Sequence, residues 1–417
     1  MRAMKTRTNW IPLTCIVGLA LLAACGEDSG GEDGLPFEPA GPDSAPDPMQ
    51  PGPFPVGVQT FTIQDHDRPD KDTGEPRTLL VEVWYPAVQA ARSQPLFTYD
   101  PVQEPGTALL DDADYQKLVA ADLPGMASWA VRDAEIDRER GPYPLMLYSH
   151  GSYSIRWQSP SYTVQLASHG AVVVACDHTG NTLWDMMAEG FSEGSVATEM
   201  PKRLDDMPFL LDWFLDKNAN TSDTFFDSVD PERVGISGHS FGGFTAATVP
   251  CIDERIKMTI PHSPIISPAS IYCEEPLDHY PVPIMVMGGT LDVTVPWNDQ
   301  YCEYNLVTTD SQYLYEVVGG GHYTFTDICT MDLNLLVEEF DFGAAEDALE
   351  DGCSPTENVN WDDAVKTYNH YATAFFNLHL RGSTGSLDYL VERDDPPFDS
   401  VNLYEGHAPD WPDGGCN

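Results

Sequence analysis

Basic side chains are scarce in this chain of 417 residues: 21 Lys and Arg stand against 66 Asp and Glu, a formal net charge of −45. A surface that acidic repels nucleic-acid phosphates and anionic membrane faces, which excludes a DNA- or RNA-binding role. The acidity reads first as solubility. No stretch alternates Asp or Asn through a loop closed by Glu, so the charge does not resolve into a calcium loop. Cys-x-x-Cys and His-Glu-x-x-His spacings are also absent, which removes dithiol redox chemistry and a helix-borne zinc site, and no internal repeat is present. The leading apolar run, residues 11–22, is too short to span a bilayer.

That run reads instead as an address. Arg2, Lys5 and Arg7 precede it and Leu22-Ala23-Ala24-Cys25 follows it, the layout of a cleaved signal peptide. The last four residues resemble the bacterial lipobox, whose cysteine becomes the lipidated first residue of the mature chain. Residues 1–24 are therefore expected to be a lipoprotein signal peptide and Cys25 a lipid anchor in the cell envelope, with plain secretion as the alternative. Any membrane association would run through that anchor alone. Export changes how the remaining cysteines read. Cys176 lies in the apolar run 171–176 and reads as a buried free thiol. Cys251, Cys273, Cys302, Cys329, Cys353 and Cys416 are left for up to three disulfides, among fifteen pairings.

Residues 25–55, rich in Gly, Pro, Asp and Glu, bury too little to offset ordering entropy and read as a flexible tether. From residue 56 the pattern changes, and a composition that is 42% hydrophobic and 11% aromatic supports a large core. Residues 56–63 and 79–85 alternate as a hairpin exposed on one face. Short Val- and Ile-rich runs at 145–148, 171–176, 234–236, 256–260, 284–287 and 313–318 suit buried strands of a largely parallel sheet. Helical patterns fall between them at 161–168, 201–215, 241–249, 297–306 and 363–380. The expected fold is α/β, a mostly parallel central sheet with helices on both faces and an N-terminal antiparallel hairpin. One domain, 56–394, carries two insertions, a cap-like one at 97–141 and an acidic one at 325–361, and residues 395–417 form a tail.

Two segments match G-x-S-x-G, a pattern expected about 0.1 times by chance in such a chain. Gly238-His239-Ser240-Phe241-Gly242 follows a strand and opens a helix of small residues, the strand–turn–helix context that strains and exposes a nucleophilic serine. Gly190-Phe191-Ser192-Glu193-Gly194 has neither, and Ser192 reads as a coincidence. A serine nucleophile needs an oriented base, and in the α/β-hydrolase fold the order is Ser, acid, His. Downstream, Asp292 and the Gly-rich exit to His322 each follow a strand, the edge where such sheets gather their sites. The backbone N–H groups of Phe241 and Ser152 are the candidate oxyanion donors. His150 and His239 flank the site as packing or hydrogen-bonding residues. Tyr153, Trp157, Trp184 and Trp297, with the segment 126–129, are candidates to line a substrate groove. The chemistry calls for no metal or organic cofactor.

Leu147-Tyr-Ser-His-Gly151, Leu166-Ala-Ser-His-Gly170, Asp177-His-Thr-Gly-Asn181, Arg203 with Asp206, Gly238-His-Ser-Phe-Gly-Gly243 and the segment 371–382 together resemble the bacterial predicted dienelactone hydrolases and the type II platelet-activating-factor acetylhydrolases, over residues 56–390. In the acetylhydrolases the acid follows the strand after the nucleophile helix. Here that stretch, Ile260-Pro-His-Ser-Pro264, has no Asp. Asp292 instead resembles the acid of the cutinases and polyester hydrolases, and position 240 is Ser where the founding dienelactone hydrolases carry Cys. The resemblance implies a serine carboxylic ester hydrolase acting through an acyl-enzyme on small or polymeric esters of short-acyl, lipid or polyester type. An amidase or peptidase with the same residues, or a lipid-tethered binding protein without turnover, are the rivals. A similar Cys pair flanks the acidic segment in the relatives. With the mutual repulsion of its carboxylates, that pair leads us to expect a Cys329–Cys353 bridge, which would stabilise by about 3 kcal/mol and steady the loop beside His322.

Overall fold

Runs of apolar residues with side chains buried on both faces need helices on both faces, and the chain supplies them. The computed structural model describes residues 46–69, 74–192, 194–342, 350–390, 398–409 and 416. The leader with Cys25, and the tether up to residue 45, lie outside the described residues. In chain order the strands are β1 (Val56–Pro69), β2 (Pro76–Pro86), β3 (Thr98–Tyr99), β4 (Met126–Ala127), β5 (Val131–Arg132), β6 (Tyr143–Ser149), β7 (Val172–Cys176), β8 (Val229–His239), β9 (Ile256–His262), β10 (Ile284–Gly289), β11 (Gln312–Val317) and β12 (Val401–Glu405). The helices are α1 (Asp112–Ala121), α2 (Pro160–Ser168), α3 (Leu183–Glu189), α4 (Ser195–Ala219), α5 (Phe241–Ile252), α6 (Trp297–Tyr304), α7 (Asn334–Glu339) and α8 (Trp361–Leu380).

The large sheet runs β12-β11-β10-β9-β8-β6-β7-β2-β1-β5. Its centre, β11 to β7, is parallel, and the β1–β2 hairpin joins β7 antiparallel. Side chains alternate across it with the strand period of two. Leu145 and Leu147 of β6 and Val172 and Val174 of β7 pack with Leu204, Met207, Leu211 and Phe214 of α4 on one face. Met146, Tyr148, Val173 and Ala175 pack on the other with Leu166 of α2 and Phe375 and Phe376 of α8. Strand order reverses at β6, whose neighbours are β7 and β8. The crevice at the carboxyl ends of β6 and β8 is therefore the topological switch point, where open α/β sheets bind ligands.

Several boundaries differ from the sequence reading. Residues 46–55 are not free tether: Gln165 Nε2 donates to the carbonyls of Pro48 and Gln50 at 3.0 Å each, Gly52 N–H donates to Ser168 Oγ at 2.8 Å, and Phe54 is buried edge-on against Tyr143. Backbone carbonyls offered to polar groups of α2 hold this Pro-rich stretch without an apolar run of its own. Residues 401–405 of the tail form β12, antiparallel to β11, with Val401 buried, so the domain reaches past residue 394. The insertion 97–141 contributes β5 to the sheet edge through pairing with β1, and its α1 packs on α7 of the acidic insertion, with Lys117 Nζ 5.2 Å over the Phe340 ring. Disulfides join Cys251–Cys273, Cys302–Cys416 and Cys329–Cys353, and Cys176 is a buried thiol whose pKa burial pushes well up.

Candidate active site

The turn between β8 and α5 holds Ser240 at φ 57° and ψ −119°, a conformation that costs about 1–3 kcal/mol for a residue with a side chain. Glycines on both sides make it sterically possible. A Cβ on Gly242 would lie 1.9 Å from the Ser149 carbonyl, and one on Gly238 would lie 2.3 Å from Gly242 O. Ser240 N–H is tied to His262 O at 2.8 Å, so strand β9 fixes the elbow from one side. Ser192 lies exposed in the loop between α3 and α4, with no strand before it.

His322 opens a 3-10 turn after β11, and Asp292 lies in the loop after β10, the neighbouring strand. The buried imidazole meets the buried carboxylate at 2.9 Å, Nδ1 to Oδ2. A carboxylate only accepts, so Nδ1 carries the proton and Nε2 is left as the acceptor a base requires. Asp292 Oδ1 also accepts from Val295 N–H at 2.8 Å, and Oδ2 from Gln300 Nε2 at 2.8 Å. Gly289 lets the loops close, since a Cβ there would lie 2.4 Å from Gly320 O. At the end of β9, where the resemblance to the acetylhydrolases would put an acid, stand His262 and Ser263. Burial holds the His262 pKa at about 3, and among the described residues neither ring nitrogen has a hydrogen-bond partner.

The loop after β6 supplies the other half of the site. Gly151 approaches Ser240 closely, a Cβ there falling 3.5 Å from the serine Cβ. Arg203 of α4, fully buried, donates from Nη1 to His150 O at 2.6 Å and from Nη2 to Gly151 O at 2.9 Å and Asn181 Oδ1 at 2.7 Å. In a planar trans peptide N–H and C=O point opposite ways. With Gly151 O held by Arg203, the Ser152 N–H is directed away from the guanidinium. Among the described residues neither Ser152 N–H nor Phe241 N–H has a hydrogen-bond partner. Desolvation lowers the Arg203 pKa to about 9, against the pull of Asp206, which still leaves it cationic at neutral pH. Arg203 went unassigned as a functional residue in the sequence. Its signal was a cation on the apolar face of α4, in helical step with Met207 and Leu211.

The flanking histidines serve the scaffold. His150 donates from Nδ1 to Gly151 O at 2.7 Å and accepts at Nε2 from His178 N–H at 3.0 Å. His239 donates from Nε2 to His322 O at 2.8 Å and so ties the serine elbow to the histidine loop. Burial holds both well below the usual histidine range, and neutral.

The groove aromatics need correction. Trp157 is fully buried and stacks on Tyr99 at 4.8 Å, Trp184 is buried beneath Gly106, and Trp297 packs under Gly288 against Tyr301. Indole rings from one turn and two helices complete the core here. Trp129 is exposed and borders a separate groove with Pro51 and Leu96. Tyr153 does line the cavity beside Ser152, about 40 Å³, whose other walls include Met186 of α3 and Ile328, Met331, Leu336 and Phe342 of the acidic insertion. The segment that borders the site is thus the second insertion, and 97–141 buttresses it from behind.

Residues 148–336 match the family model described as PET hydrolase-like, and residues 43–188 match that of platelet-activating factor acetylhydrolase, isoform II. Platelet-activating factor acetylhydrolase of Cavia porcellus is 29% identical over 160 residues, 30% of this chain and 36% of that protein. A protein of Arthroderma benhamiae described as a probable 1-alkyl-2-acetylglycerophosphocholine esterase is 25% identical over 232 residues, 51% of this chain and 57% of that one. The chain thus spans about a third to somewhat over half of these relatives' length. A ferulic acid esterase from Streptomyces cinnamoneus superposes with a TM-score of 0.59 at 24% identity, over 88% of this chain and 99% of that one. The fold is that of the α/β-hydrolases. Within it, the chain is similar to the acetylhydrolases and the polyester hydrolases.

Proposed function

We propose that this chain is a carboxylic ester hydrolase in which Ser240 is the nucleophile, His322 the base and Asp292 its orienting acid. The observation that carries this is a strained serine at the switch point, tied through His239 to the loop of a buried Nδ1–Oδ2 imidazole–carboxylate pair, with two amides that have no partner among the described residues. Ser240 Oγ attacks the ester carbonyl as His322 Nε2 takes its proton. The N–H groups of Ser152 and Phe241 receive the oxyanion, and the imidazolium returns the proton to the departing alcohol. Water activated by His322 then releases the acid. Relatives named as acetylhydrolases and as a ferulic acid esterase support ester rather than amide substrates.

A cavity of about 40 Å³ beside Ser152 holds roughly three water-sized groups, which supports an acyl moiety of two or three carbons. A fluorophosphonate probe is expected to label the protein on the peptide containing Ser240. p-Nitrophenyl acetate and propionate should turn over faster than the octanoate and palmitate. An unlabelled protein defeats the esterase reading, and a preference for long chains defeats the short-acyl one.

We also propose that the mature chain is exported and lipid-anchored at Cys25. The basic leader, the short apolar run and the lipobox-like Leu22-Ala-Ala-Cys25 support this. In a bacterial host, a palmitate analogue is expected to mark the wild type and not Cys25→Ser. Unlabelled wild type free in the medium would rule the anchor out.

A further inference from the structure

We propose that Asp351, within the acidic insertion, is a positioning residue that locks the His322 loop to the loop carrying Asp292; the inference rests on the esterase reading above. Its carboxylate works with both oxygens. Oδ1 accepts from the backbone N–H of His322 at 3.1 Å. Oδ2 accepts from Val293 N–H at 3.0 Å, Thr294 N–H at 2.9 Å and Thr294 Oγ1 at 2.7 Å. One side chain is therefore bonded to the backbone of the base and to the two residues that follow its orienting acid. The exits of β10 and β11 are already joined by Leu291 N–H to Gly320 O at 2.8 Å and Gly319 N–H to Thr290 Oγ1 at 2.9 Å. Asp351 extends that seam to the loop tips, where the 2.9 Å imidazole–carboxylate bond is set.

The surrounding backbone is shaped to admit this carboxylate. A Cβ on Gly321 would lie 2.5 Å from Asp351 Oδ1, and one on Gly352, itself at φ 99°, would lie 2.9 Å from Gly321 C and Thr324 N. The Asp351 carbonyl accepts from Tyr323 N–H at 2.8 Å. Cys353, two residues on, is bridged to Cys329 in the 3-10 turn that follows His322. Side chain and main chain thus anchor residues 351–353 to the histidine turn, and the disulfide anchors them to the turn after it. Four donors converging on two oxygens require a carboxylate, which offers about four lone-pair sites; an amide offers half as many and would aim its own N–H groups at donors. Val293 and Thr294 are exposed, so these bonds act mainly on registry, the spacing on which proton transfer depends.

The test compares kcat and KM for p-nitrophenyl acetate in the full chain, in Asp351→Asn, in Asp292→Asn and in the double variant. Asp351→Asn is expected to lower kcat on the order of 10- to 100-fold, as a displacement near 1 Å does, with KM within about threefold of wild type. Added to Asp292→Asn it should cost little more, because the pair it positions is already broken. An unchanged kcat, a loss confined to KM, or losses that multiply in the double variant would each overturn the proposal. Should Asp351→Asn fail to fold, Thr294→Val removes one donor from an exposed residue. A kcat lower by about two- to fivefold at an unchanged melting midpoint is expected there, and an unchanged kcat overturns the clamp. A wild type inert toward both the ester and the fluorophosphonate defeats the esterase reading and the clamp together; an active wild type with equally active variants defeats the clamp alone.

Discussion

Ser240→Ala is expected to lower ester turnover on the order of 10⁵- to 10⁶-fold, leaving the residual rate that an oxyanion site and substrate binding supply without a nucleophile. The loss should be chemical. Ser240 N–H keeps its bond to His262 O whatever the side chain, and the glycines that allow the turn are untouched. The melting midpoint should stay within a few degrees, corresponding to about 1 kcal/mol or less. Ser192→Ala, in an exposed loop with no strand before it, should leave turnover within about twofold. Rates on p-nitrophenyl acetate with thermal melts of both variants decide the matter. A dead Ser192→Ala beside an active Ser240→Ala would reverse the assignment of the two motifs.

The contrast between those serines shows why much of this fold was legible. β6, β7, β10 and β11 are short, fully buried runs, and such runs leave little choice but a covered, parallel sheet. Once those strands and β8 are placed, Ser240, Asp292 and His322 fall just past the carboxyl ends of β8, β10 and β11 by counting along the chain. Strand β12 escaped because an edge strand buries little: Val401 is buried and Asn402 is exposed, a pattern shared by many loops. Trp157 and Trp184 were misread because an indole looks the same in composition whether it faces a groove or a core. Residues 46–55 were misread for the opposite reason, since carbonyls bound by Gln165 leave no apolar trace.

Polar residues with long-range duties were the least legible. Asp351 sits in a run of carboxylates, where mutual repulsion is the simplest expectation, and nothing local distinguishes it from Glu350. Its partners lie 29 residues away at His322 and 57 residues away at Thr294, and only the closed fold brings them together. Arg203 had a visible anomaly, a cation in the apolar stripe of α4, but not its purpose. Its two carbonyl partners come from the loop after β6.

Asp292→Asn is expected to lower kcat on the order of 10⁴-fold, with the protein still folded, because it reverses the tautomer of His322. In the wild type one carboxylate oxygen accepts from Val295 N–H, and the other from His322 Nδ1 and Gln300 Nε2. Asparagine has one acceptor oxygen to divide between these two directions. If the oxygen faces His322, the new NH₂ points at Val295 N–H, and a buried backbone donor loses its partner at a cost of about 1–3 kcal/mol. If the oxygen keeps Val295, the NH₂ faces the imidazole. Gln300 can follow this second orientation by flipping its amide, trading its Nε2 bond to Val295 O at 2.6 Å for one accepted from the new NH₂. His322 must then carry its proton on Nε2 and accept at Nδ1, which leaves no lone pair for the Ser240 proton. Binding should be little affected, so KM should stay near wild type while kcat collapses. Because the obstacle is a proton on the wrong nitrogen, activity should partly return at alkaline pH, where hydroxide can remove the serine proton in place of the imidazole. A kcat within about tenfold of wild type at neutral pH would return the acid role to another carboxylate, and Asp177 would be the next to test.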